Sequence, residues 1–268
     1  MKRAFWMLAG LYLALVPLAR GEEWTKTFSL SGSPDLRVET SDANIRVDTW
    51  DQKTIEAKVT SEKWGVGQGK NVEVYDHQTG DAVEIEVRLP QHFSVLSIGV
   101  RRVEIEIHMP REGKLHLNTG DGSIELKNFK GDMDLTSGDG NENILDVEGA
   151  LRAHSGDGHI EVRGRFDGLD LSTSDGHIDA RAQSGSTVGE GWNLKTGDGR
   201  VTLGLPPNFA ADVDLHTGDG HIVLNIPVSV EGKYESSRIR GKINGGGGMV
   251  TIHTGDGSIR LEKVSASI

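Results

Sequence analysis

The chain has 268 residues, of which 35% are hydrophobic, 5% aromatic and 26% charged, with 36 Gly, no Cys and a formal net charge of −11. The glycines follow no three-residue period, which excludes collagen, and the lack of cysteine excludes disulfides, thiolate metal sites and a lipoprotein acceptor. The acidic balance argues against nucleic acid or an anionic lipid surface as a partner, since both need a basic patch.

Residues 1–21 read as an export signal. Lys2 and Arg3 precede an apolar stretch from Ala4 to Leu18, and Ala19-Arg20-Gly21 puts small residues where a signal peptidase inspects them. The stretch is shorter than the roughly 20 residues of a membrane-spanning helix. The expectation is a periplasmic, extracellular or surface protein that is not integral to a membrane once the signal is removed. Cleavage takes away three basic residues and no acid, moving the formal charge from −11 to −14.

Residues 22–118 are expected to form an N-terminal β region and cap. Leu36-x-Val38-x-Thr40-Ser41-Asp42-Ala43-Asn44-Ile45-x-Val47 is a degenerate copy of a unit that recurs later. A second weak copy surrounds Thr79-Gly80-Asp81, its following apolar residues Ile85 and Val87 shifted by one. Ser61–Asn71 and Gln91–Arg102 interrupt the strand-like runs as loops.

From 119 to 268 the repeat is regular: apolar-x-apolar-x-Thr/Ser-Gly-Asp-Gly-x-apolar-x-apolar. Its central aspartates are Asp121, Asp139, Asp157, Asp175, Asp198, Asp219 and Asp256, the first four spaced 18 residues apart. Leu117, Leu135, Ala153, Leu171, Leu194, Leu215 and Ile252 stand four before the Asp, with another apolar residue six before. Alternation of period two denotes half-buried strands. In the Asp139 copy, Glu142 falls where an apolar residue belongs, so a local bulge is expected there.

Each Gly-Asp-Gly is either a hairpin turn or the corner of a coil. The constant step favours coils, since equal lengths let equivalent residues stack about 4.8 Å apart. The expected fold is therefore all-β, a parallel β-solenoid (β-helix-like) of short strands with coils of about 18 residues and an irregular N-terminal part. The Thr or Ser before each turn shares the inward parity of the apolar slots and can bond a turn amide. The glycines are expected to supply positive φ, and the Asp to accept backbone N–H bonds.

The Leu36–Val47 unit, Trp50-Asp51, the strand Thr54–Val59, the segment Val103–Pro110 and the run of Thr-Gly-Asp-Gly units together resemble a bacterial family that carries the label "putative adhesin". The resemblance covers roughly residues 35 to 263. It implies an exported or surface β-solenoid, and it supplies no catalytic residues.

Three chemistries remain to be weighed. Stacked carboxylates at Asp121, Asp139, Asp157, Asp175, Asp198, Asp219 and Asp256 are candidate Ca2+ ligands, since like charges a strand apart repel. His159, His177 and His221 after the turn, with His154, His216 and His253 before it, are candidates for a transition metal. The slot after the turn holds Ser123, Asn141, Arg200 and Ser258 in other copies, which reads as tolerance of polar residues. Carboxylate pairs suit a polysaccharide lyase or hydrolase, yet every candidate is repeated, and Arg101-Arg102 and Trp192 are not brought together by anything in the sequence. The expected role is a non-catalytic adhesion or scaffold module without a cofactor, whose partner is a cell-envelope polymer, glycan or surface protein. A polysaccharide-active enzyme and a calcium-stabilised rod are the alternatives.

Overall fold

A computed structural model describes residues 22–63, 72–89, 101–189, 191–230 and 235–264; residues 1–21, expected to be an export signal, and most of the two expected N-terminal loops lie outside them. Among the described residues the fold is all-β, and no helix is long and apolar enough to cross a membrane. The N-terminal strands are β1 (Glu22–Ser29), β2 (Asp35–Thr40), β3 (Asn44–Trp50), β4 (Thr54–Lys63), β5 (Glu73–Thr79), β6 (Ala82–Arg88) and β7 (Arg101–Pro110). The middle holds β8 (Glu112–Thr119), β9 (Ile124–Lys127), β10 (Lys130–Ser137), β11 (Glu142–Ser155), β12 (Ile160–Thr173) and β13 (Ile178–Ala182). The rest are β14 (Trp192–Thr196), β15 (Val201–Leu205), β16 (Ala211–Thr217), β17 (Ile222–Leu224), β18 (Ser229–Val230), β19 (Arg238–Ile243), β20 (Met249–Thr254) and β21 (Ile259–Lys263).

Strand pairing follows two series, one on each side of the Gly-Asp-Gly corners. The first runs β5-β6-β2-β8-β10-β11-β12-β14-β20-β16-β19-β18. The second runs β1-β4-β7-β3-β9-β11-β12-β13-β15-β21-β17. β11 and β12 are long enough to serve both. Pairing is parallel through the middle of each series, and antiparallel at β1–β4, β4–β7 and β5–β6 and at β16–β19 and β18–β19. The 18-residue step appears as register: Leu115, Met133, Leu151 and Leu169 are successive partners, and each is buried.

The order of rungs departs from the order of the sequence. β2 and β3 lie between β6/β7 and β8/β9, and the last copy, β20 and β21, lies between β14/β15 and β16/β17. The wide spacings after Asp175 are therefore more than loop insertions, because one of them carries the chain past a rung that is filled later.

Two local expectations are corrected. Thr79-Gly80-Asp81 closes the antiparallel β5–β6 hairpin, with Gly80 at φ 62, and so is no corner of the stack. The Asp81 carboxylate accepts the Ser31 N–H at 2.6 Å and pins the β1–β2 link. Glu142 does not bulge outward: it stays in register between Ile124 and Ile160, and the irregularities fall at Leu145/Val147 and Gly149/Ala150. The core also takes Trp192, which packs on Phe166 and Phe209 at centroid distances of 6.2 and 4.9 Å. Arg102 is exposed on β7, which is not a neighbour of β14, so no site joins it to Trp192.

Candidate binding face

Each Gly-Asp-Gly corner is held by its hydroxyl. Thr119, Ser137, Ser155, Thr173, Thr196, Thr217 and Thr254 are all buried, as their inward parity requires. Each hydroxyl donates to the backbone carbonyl at the last corner position of the neighbouring rung, at 2.6–3.1 Å. In five rungs it also accepts the N–H of its own second glycine at 2.9–3.2 Å. One short side chain thus satisfies two buried backbone groups that no strand ladder reaches.

The corner glycines serve closeness rather than handedness. None of them has positive φ. A Cβ on Gly122, Gly140, Gly158, Gly176, Gly199, Gly220 or Gly257 would lie 1.8–2.0 Å from the carbonyl oxygen of the rung beneath. Positive φ occurs instead at the opposite corner, at Asn128 and Gly131 and at Asp146 and Gly149.

All seven corner aspartates are exposed. The backbone N–H groups of Asp139, Asp157 and Asp256 donate to glycine carbonyls of the preceding rung at 3.1, 3.2 and 3.1 Å. Their carboxylates, and those of Asp121, Asp175, Asp198 and Asp219, make no hydrogen bond or ion pair among the described residues. The hydroxyls bond the turn amides as expected, and the carboxylates do not share that role. Among the described residues no group of three or more His, Cys, Asp or Glu side chains converges as a metal ion would need.

The slot after the corner has a specific task that sequence reading took for tolerance. Asn44 Oδ1 accepts the Ser123 N–H at 3.0 Å, and Asn141 Oδ1 accepts the His159 N–H at 2.8 Å. His159 Nδ1 accepts the His177 N–H at 3.0 Å, and His177 Nδ1 accepts the Arg200 N–H at 3.1 Å. Asn and His share an acceptor at the δ1 position, which was the readable signal. The two rings stack at 4.9 Å and 4°, and with Nδ1 accepting, the neutral ring carries its proton on Nε2. Burial, then His159 and Arg200, push the His177 pKa below its usual value. His216 and His253 also stack, at 5.1 Å, and burial with His216 and Lys195 lowers the His253 pKa.

The position five before each corner Asp forms another outward column, on the first series. Register partners link Glu84, Arg37, His116, Asp134, Arg152, Asp170 and Asn193 across seven strands, about 29 Å at the usual strand spacing. Its charges mostly alternate. Arg152 lies 3.6 Å from both Asp134 and Asp170, and Asn193 Nδ2 donates to Asp170 at 3.2 Å. Two grooves open on this face. One, of about 390 Å³, is bordered by His116, Asp134, Arg152, Asp170 and Asn193. The other, of about 340 Å³, is bordered by Arg37, Glu84 and Tyr75.

Glu142 is the unusual carboxyl. It is 1% exposed and neither oxygen makes a well-formed hydrogen bond; burial, opposed by the nearby Ser137 backbone N–H and reinforced by Asp134, pushes its pKa up to about 9.

A family model described as Toastrack DUF4097 matches residues 112–262. No curated protein matches the chain. Solved structures that are similar include a "putative cell adhesion protein" of Clostridium sporogenes, at 16% identity and TM-score 0.46, covering 91% of this chain and 100% of that one. A "putative adhesin" of Bacteroides fragilis has 10% identity and TM-score 0.48, covering 92% and 99%. A "putative lipid binding protein" of Parabacteroides distasonis has 15% identity and TM-score 0.36, covering 92% and 98%.

Proposed function

We infer that this chain, which belongs to the Toastrack family, is an exported, non-catalytic binding module of the cell envelope. Residues 1–21 direct export, 22–118 form an N-terminal β region that holds the degenerate Leu36–Val47 repeat and a cap, and 119–268 form the regular repeats of a parallel β-solenoid. Its partner is an envelope polymer, glycan or surface protein, held in adhesion or as a scaffold.

The observation that carries this reading is the outward column from Glu84 to Asn193. Strands fixed in register by the hydroxyl ladder hold donors and acceptors at a constant spacing along one side of the molecule. A rigid array of this kind matches an extended repeating partner without reordering on binding. A polysaccharide-cleaving acid must hold its proton beside the substrate. Among the described residues the carboxyl whose pKa is raised, Glu142, is instead sealed in the core, out of reach of any polymer.

The test is co-sedimentation of the purified protein with cell walls, membranes and whole cells. Saturable pelleting with one fraction, with no release of reducing ends from its polysaccharides, is the expected result. Failure to pellet with any fraction, or turnover of a polysaccharide, overturns the reading.

A further inference from the structure

On the first series, the position seven before each corner Asp forms a column beside the alternating charges. It holds Asp35, Lys114 and Asp132, drops to Ala150, Gly168 and Gly191, and rises again at the exposed Met249. The drop is the floor of the 390 Å³ groove. Gly191 is accounted for by its backbone, at φ +102.

Gly168 is not accounted for in that way. Its φ is outside the left-handed region, and an added Cβ would meet only the Ala150 Cβ at 3.7 Å, an ordinary contact. The corner glycines, by contrast, would clash at 1.8–2.0 Å. The fold therefore accepts a side chain at 168; the strand is irregular here, with Asp167 the extra residue between the pairs Gly149–Phe166 and Ala150–Gly168, and a glycine suits such a bulge. No described backbone approaches Gly168 within 4 Å of where that Cβ would lie, so the floor of the groove stands open to a ligand.

The wall of the groove gives the ligand's chemistry. The Arg152 side chain is 65% exposed and only loosely engaged, at 3.6 Å, by each flanking carboxylate. Its N–H groups and the acceptors of Asp134, Asp170 and Asn193 alternate at about one strand spacing. Hydroxyl groups, which donate and accept at once, suit that alternation. Asp132, Asp134 and Asp170 outnumber Arg152, so an anionic chain is repelled. The second groove continues the first, since Arg37 and His116, which border one each, are register partners. It adds Tyr75, a 48% exposed ring with the Arg88 guanidinium 4.7 Å from its centroid.

We propose that this trough binds an extended, neutral glycan chain laid across the strands, with Ala150 and Gly168 as its floor and Asp134, Arg152, Asp170 and Asn193 as its hydrogen-bonding wall. The site rests on the reading of the protein as an envelope-binding module, and the following experiment separates the two.

Calorimetric titration uses a neutral N-acetylglucosamine hexamer and a neutral β-glucan hexamer, with an oligogalacturonate as the anionic counterpart. Saturable binding of a neutral oligomer, and none of the anionic one, is expected. Gly168→Gln fills the floor and Arg152→Ala opens the wall. Each is expected to weaken binding at least about tenfold, given that the lost contacts are central, with an unchanged melting temperature. Glu161→Gln, on the outward face of the second series, leaves binding unchanged. Preference for the anionic oligomer, or neutral binding that both trough variants retain, overturns the site. Cell-wall pelleting unaffected by Gly168→Gln and Arg152→Ala also overturns the trough alone and leaves the envelope function standing. Absence of pelleting by the unaltered protein overturns that function.

Discussion

The Gly-Asp-Gly corners and the opposite corners at Asn128–Gly131 and Asp146–Gly149 both use glycine, and their reasons overlap only in part. At the Gly-Asp-Gly corner the backbone has ordinary φ, and glycine is needed because the carbonyl of the rung beneath occupies the place of a Cβ. At the opposite corner the chain turns through the left-handed region, at Asn128 with φ 59 and at Asp146 with φ 55, where small polar residues are tolerated. The first corner is constrained by its neighbours alone; at the second, Gly131 and Gly149 join positive φ to a Cβ position 1.9 and 2.3 Å from the carbonyl oxygen beneath, and Asn128 and Asp146 carry the torsion alone. The first kind of constraint acts along the whole stack and the second only locally.

The sharpest way to break this contrast is a pair of alanine substitutions. Gly158→Ala places a Cβ 2.0 Å from the Gly140 carbonyl and is expected to cost about 3 kcal/mol or more, since the backbone beneath has no freedom to retreat. Asn128→Ala meets only a torsional penalty of about 1 kcal/mol. Urea denaturation of both variants measures the difference, and equal losses would refute the distinction.

A second test moves from the corner to the strand that leaves it. Glu142 is neutral in the folded core and ionised in the unfolded chain between its ordinary value of 4.5 and about 9. The folded state binds the extra proton in that window, so stability is fully present below 4.5 and falls as pH rises toward 9. Glu142→Ile restores the column of Ile124 and Ile160 and is expected to raise stability at pH 8 by roughly 1–3 kcal/mol, the cost of an unpartnered buried polar group. Melting curves of both proteins from pH 5 to 9 should diverge steadily. Parallel curves would show that the carboxyl finds a partner.

The smallest effect expected is at the slot after the corner. The His177 pKa is lowered in the fold, so the contribution of this residue is present above 6.5 and is lost as pH falls below it. His177→Asn keeps an acceptor for the Arg200 N–H and removes the titration. The variant is expected to match the wild type at pH 7.5 and to exceed it slightly at pH 5 by thermal melting. A variant weaker at both values would mean that ring stacking with His159, rather than capping, is what the histidine supplies.

Much of the architecture was readable from alternation alone. The inward slots, the Ser/Thr parity and the degenerate copy at Leu36–Val47 all follow from a period of two. The order of the rungs was not readable, because self-similar copies carry no address: the pattern around Val250 fits beside Trp192 as well as the pattern around Val213 does. The role of the corner glycines was misread because torsion is a property of one residue, whereas close approach belongs to a pair far apart in sequence. Glu142 was misplaced for a related reason. A bulge would have broken two ladders, and keeping the acid protonated in the core leaves both intact. The outward column lies five residues before each Asp, but its residue types differ from copy to copy, so no motif marks it in the sequence.

The insertion of the last copy between two earlier rungs has a mechanical consequence. An end rung can be peeled away one ladder at a time, like the last tooth of a zipper. β20 and β21 are bounded on both sides, by β14 and β16 and by β15 and β17. Tension that enters the chain beyond β21 must therefore shear two parallel ladders together before any length is released. A chain pulled through an interior rung yields at a higher force than one pulled from the end of the stack.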